Sequence, residues 1–127
     1  MSGRKPVTQC TDKEWKTLCQ QVRAMCPPPT GWKLRLYRSK SIEHYGDCTV
    51  EEAKKQIVIR IRHGLSLGHT YEIVTHELAH AYAWQHSPHV FSANHDASWA
   101  QTFVALRVAL VGAKYAQVYN AMHTDRD

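Results

Sequence analysis

No run of apolar residues in this 127-residue chain approaches the roughly 18 needed to cross a bilayer. The first residues, Met1-Ser-Gly-Arg-Lys-Pro, are basic, but no apolar stretch follows them, so a secretory signal is not expected. Cysteine is sparse and scattered: Cys10, Cys19, Cys26 and Cys48 contain no C-x-x-C pair. Unpaired spacing of this kind does not make a zinc ribbon. A domain of this size needs no disulfides, so reduced and mostly buried thiols are expected, in a cytoplasmic protein rather than a secreted one. Glutamate is absent beyond Glu77, where the only later acids are Asp96, Asp125 and Asp127.

What the chain does contain is enough for one domain and not two, at 43% hydrophobic and 21% charged residues. Its net charge of +5 is unevenly divided. Residues 1–64 hold 13 Lys and Arg against 6 acids, and residues 65–127 hold 3 against 5. One positive face follows, compatible with nucleic acid or with plain solvation. Histidine is plentiful, with nine in all and five between His76 and His95.

Residues 1–10 read as a disordered lead-in, and 11–127 as a single α+β domain. Thr11 and Glu14 form a capping-box pattern, and Trp15, Leu18, Val22 and Met25 recur at helical spacing until Pro27-Pro28-Pro29. Trp32, Leu34 and Leu36 alternate with polar residues as in a half-buried strand. A loop containing Gly46 precedes a short strand near 47–50, and a third strand spans 56–62 with Ile57, Ile59 and Ile61 on one face. The expected sheet is three-stranded and mainly antiparallel, with basic side chains on its other face. Gly64 and Gly68 break the connector to a helix over about 70–86. A loop follows, then a last helix from about Ala97 to Asn120, with Trp99, Phe103, Leu106, Leu110 and Tyr115 on its stripe.

The helix over 70–86 contains His76-Glu77-Leu78-Ala79-His80, an H-E-x-x-H pattern. Positions i and i+4 lie one above the other on a helix, so two imidazoles can converge on one zinc ion per chain. Glu77 lies one residue further round, placed to reach a water at the metal as general base without ligating it. A catalytic zinc needs a third protein ligand, and with no later glutamate a thermolysin-like arrangement is excluded. Three candidates stand. His86 has metzincin spacing, but Ala83 occupies the position of the turn glycine, and a continuing helix would carry His86 about 10 Å along the axis. His95 lies beyond a loop that can fold back over the site, at the start of the last helix. Asp96 is a further choice, and would otherwise cap that helix.

The segment from Glu72 to His86, followed by His95-Asp-Ala-Ser-Trp99, resembles the SprT-like zinc peptidases, which include the Spartan proteases acting on DNA-crosslinked proteins. Asp96 stands where the family has glycine. The resemblance implies a small zincin-like catalytic domain without the family's zinc ribbon. It also implies zinc on His76, His80 and His95, Glu77 as base, protein or peptide substrates, and an association with DNA or the nucleoid.

Substrate is expected to add as an extended strand along Gln56–Arg62. Tyr82, His86, His89 and Tyr115 are candidate oxyanion donors. Against this protease stands a nucleic-acid-binding module with a structural zinc, resting on Lys33, Arg35, Arg60 and Arg62, with Arg38, Lys40, Lys54 and Lys55 nearby. A metzincin-type peptidase using His86 is a third possibility. Oligomeric state is not readable, and no membrane partner is expected.

Overall fold

A computed structural model describes residues 8–86 and 97–123, with side chains over 8–83 and 99–118. Helix α1 (Asp12–Met25) starts as its capping box requires. The Thr11 N–H donates to Glu14 Oε1 at 2.8 Å, and the Glu14 N–H donates to Thr11 Oγ1 at 3.1 Å. Leu18, Cys19 and Val22 carry its buried face, whereas Met25 at the frayed end is 46% exposed. Residues 8–10 are more ordered than a disordered lead-in: Gln9 bridges Ser66, and the Cys10 N–H donates to the Leu65 carbonyl at 2.8 Å. Cys10 is buried as a result.

Strands β1 (Lys33–Ser39), β2 (Gly46–Glu51) and β3 (Gln56–Arg62) form one sheet in the order β1-β3-β2. The pairing is mixed: β1 runs parallel to β3 and β2 antiparallel to it. The tight 52–55 turn, with Lys55 at φ 49°, makes β2 and β3 a hairpin, while the chain from β1 passes β3 to reach the far edge. Period-2 alternation behaves as expected. Ile57, Ile59 and Ile61 are fully buried, with Leu34 and Leu36 beside them. Substrate cannot add along β3, because β1 and β2 already take both of its hydrogen-bonding edges.

Gly46 is the first residue of β2 rather than part of a loop. A Cβ there would stand 2.7 Å from Ile73 Cγ2, so glycine lets the strand lie close against the following helix. That helix, α2 (Leu67–His86), begins before Gly68 instead of after it. Ser66 caps it, accepting from the His69 N–H at 3.2 Å, and a glycine in the first turn does not outweigh that bond. Helix α3 (Ala97–His123) packs along α2, which also lies against β2, β3 and α1. The stripe of α3 continues from Leu106 and Leu110 to Gln117, seven residues on. Tyr115, five beyond Leu110, is rotated off that stripe and is 66% exposed. No helix among the described residues is long and apolar enough to cross a membrane.

Candidate metal centre

α2 is nearly enclosed, with Val74, Leu78, Ala79 and Ala81 at zero exposure. Polar residues in such a helix need partners or a purpose. Thr70 and Thr75 satisfy themselves by donating to the carbonyls of Ser66 and Tyr71, both at 2.7 Å. Tyr71 exchanges hydrogen bonds with Gln21 of α1 and Gln117 of α3, the latter at 2.7 Å, tying three helices together. His76, Glu77 and His80 occupy the next turn of the same helix.

The two imidazoles, one helical turn apart, turn the same way. Their Nε2 atoms are 3.3 Å apart and their ring centroids 4.9 Å, with the planes at 70°. Two nitrogens each about 2.0–2.1 Å from a tetrahedral zinc would stand about 3.3–3.4 Å from one another. The donor set therefore fits such an ion. Trp99, in the first turn of α3, lies 5.3 Å from the His76 ring and 5.5 Å from that of His80. It stacks in turn on Phe103 at 4.9 Å. The tryptophan thus walls one side of the histidine pair as well as anchoring α3.

Glu77 is 9% exposed, and burial, followed by the Asp47 carboxylate, pushes its carboxyl up to about 7. A divalent cation at the imidazoles would pull the value back down. Asp47 of β2 acts on this carboxyl, and this carboxyl in turn acts on Cys48. The Cys48 thiol is pushed up to about 12 by burial, then by Glu77 and Asp47. The β2 neighbours escaped the sequence because no local pattern links residues 47 and 77. Only the close approach allowed by Gly46 does.

Among the described residues, no third histidine, cysteine or carboxylate joins the pair closely enough to complete a set of three. His95 and Asp96 lie outside the described residues. The backbone stays helical through Ala83 to His86, so the sharp turn that a metzincin site requires there is absent. Of the oxyanion candidates, Tyr82 is buried and donates to the Cys26 carbonyl at 2.7 Å, a structural bond between α2 and the end of α1. Tyr115 is exposed on α3, and His89 lies outside the described residues.

The basic sheet face is real but smaller than its residue types suggest. Lys33, Arg35 and Arg62 are exposed on the face opposite the isoleucines. Arg60 is neutralised by Asp47, its register partner on β2, with Nε to Oδ1 at 2.9 Å and a second bond from Nη2. Arg38 belongs to the inner structure. Its side chain is 7% exposed, and its guanidinium lies 5.4 Å over the Trp15 ring, bonds Asp12 and donates to the Cys10 carbonyl at 2.9 Å. Lys54 pairs with Glu51 at 3.6 Å on the hairpin.

No family model matches this chain, and neither does any curated protein or solved structure.

Proposed function

We propose that this chain is a zinc-dependent metallopeptidase of SprT-like type that hydrolyses peptide bonds in protein substrates. The observation that carries this reading is the 3.3 Å separation of the His76 and His80 Nε2 atoms, which matches two corners of a zinc tetrahedron. Glu77, next to His76 in the sequence, separates the proposal from a closed structural site, where its carboxylate would have no work.

His76 and His80 would hold the ion through Nε2, with His95 as the proposed third ligand. Zinc bound there would acidify a water and polarise the scissile carbonyl. The role proposed for the Glu77 carboxylate is general base, which would accept a proton from the water that attacks the carbonyl carbon. The same group would return that proton to the leaving nitrogen as the C–N bond breaks, giving a carboxylate and an amine. Trp99 shields the pair from solvent on one side and holds the two rings in place.

β2 is the sheet edge that lies against α2, so an extended substrate would add along its outer edge, not along β3. Glu77→Gln, assayed on an unfolded protein substrate with zinc present, is expected to lower the rate by about 10²–10⁴ while the zinc content stays unchanged. Undiminished cleavage by that variant would remove Glu77 from the reaction.

A second reading is favoured by one observation, the alignment of Lys33, Arg35 and Arg62 with exposed Tyr37 on the outer sheet face. Cations interleaved with an aromatic suit a nucleic-acid strand, which stacks on one and neutralises charge on the other. DNA affinity measured across a salt series tests it. Phosphate contacts by these three cations give a clear fall with salt, and a flat profile excludes them.

A further inference from the structure

Between Thr70 and Ala83, every residue of α2 is buried except Glu72, Ile73, His76 and His80. Steps of four set Glu72, His76 and His80 one above the other, so the helix has a single open stripe. β2 borders that stripe on one flank, where Gly46 lies against Ile73. α3 borders it on the other, and there Trp99, Phe103 and Arg107 also follow at steps of four. Trp99 stands beside both imidazoles and stacks on Phe103, and the Arg107 guanidinium lies 6.0 Å from the centre of the Phe103 ring. Arg107 Nη2 then reaches Glu72 Oε1 at 3.4 Å, and Lys114 Nζ reaches the same oxygen at 3.5 Å. The two ladders run antiparallel, with the histidine pair at one end and two cations around one carboxylate at the other. The proposed chemistry uses only the first end.

We propose that Arg107 selects substrates carrying an acidic side chain about three residues from the scissile bond, an inference that rests on the peptidase reading. Charge is the first ground. Glu72 can offset one of its two cations, and α3 contains no acid anywhere along its length to offset the other. The Lys114 side chain is 23% exposed and that of Arg107 is 53% exposed, so the surplus charge faces solvent on Arg107. Geometry is the second ground. Among the described residues Glu72 is the one acid that pairs with Arg107, through a single oxygen, which leaves the guanidinium fork able to grip a carboxylate by two parallel bonds. Position is the third. Glu72 lies about 9 Å along the axis from the midpoint of His76 and His80. An extended chain rises about 3.3 Å per residue, so a strand lying along β2 beside this stripe would bring its third residue level with the cations. One surplus charge suits one carboxylate, whereas a phosphate backbone asks for several.

Cleavage sites made by the zinc-loaded protein in an unfolded protein substrate, mapped by mass spectrometry, test the inference. Aspartate or glutamate is expected to be enriched about three residues from the cut, on one side only. In peptides built on such a site, glutamate there should raise kcat/KM about tenfold over glutamine. Arg107→Gln should bring that ratio close to one, and Arg107→Lys should keep part of it. Arg107→Glu should favour a lysine peptide instead, an inversion that misfolding cannot produce. Binding gives a readout without turnover: Glu77→Gln protein should hold the glutamate peptide more tightly than the glutamine peptide, and lose the difference when Arg107→Gln is added. Cuts without an acidic preference, or a preference that Arg107→Gln leaves unchanged, overturn the inference and leave the peptidase reading standing. An oligothymidylate that binds through Arg107, with no acidic preference in the cuts, assigns the cation to nucleic acid and also overturns it. No cleavage of any substrate overturns the peptidase reading and this inference with it.

Discussion

α2 and α3 are both rich in apolar residues, and they differ in what surrounds them. α2 has the sheet on one side and α3 on another, so its Val74, Leu78 and Ala79 are fully buried and its polar residues stand out. α3 is packed on one side, through Trp99, Phe103, Leu106, Leu110 and Gln117, so on its far side the apolar residues stand out instead. In the enclosed helix the histidine pair 3.3 Å apart is the observation on which the proposed metal site rests.

The comparison can be broken most forcefully by truncating matched positions. Leu78→Ala removes a fully buried side chain and is expected to cost about 2–5 kcal/mol. Val108→Ala, at a position 73% exposed, should stay within about 0.5 kcal/mol. Urea unfolding of the two variants checks both, and equal losses would show that the helices are not differently enclosed. A smaller effect is expected from Gly46→Ala, which forces a methyl into the Ile73 side chain 2.7 Å away. A loss of about 1–3 kcal/mol is expected as β2 is pushed off α2. Peptidase activity should fall with it if the strand that flanks Glu77 matters to the site.

Where these features could be read from sequence, the information was local. The Thr11–Glu14 box, the alternation of Ile57, Ile59 and Ile61, and the four-residue step from His76 to His80 each lie within a few residues and follow from backbone geometry. What escaped was non-local or a matter of competition. The sheet order placed β3 in the centre, which moves the available edge to β2. Asp47 meets Arg60 only through strand register, which removes one cation from the basic face. Gly68 resembles a breaker until the Ser66 cap is weighed against it, and Tyr115 looks like a core residue until its five-residue step from Leu110 is converted to an angle.

The smallest effect sharpens the contrast between enclosed and exposed groups by titration. Burial alone raises the Cys26 thiol above its ordinary value. The unfolded thiol ionises above pH about 8.5 while the folded one stays protonated. Its contribution to stability is therefore fully present below that pH and is lost as pH rises. Between pH 7 and pH 9, Cys26→Ala should lose less stability than the unmodified chain, by under about 1 kcal/mol. Parallel pH profiles for the two proteins would mean that the thiol is solvated.

The central claim is that one turn of α2 holds a metal ion. It is tested most directly by zinc content per chain after loading and exhaustive dialysis, for the unmodified protein, His80→Ala and His95→Ala. One zinc per chain, lost in His80→Ala and in His95→Ala, is the predicted result. No retained zinc in the unmodified protein, or zinc that survives His80→Ala, would contradict it.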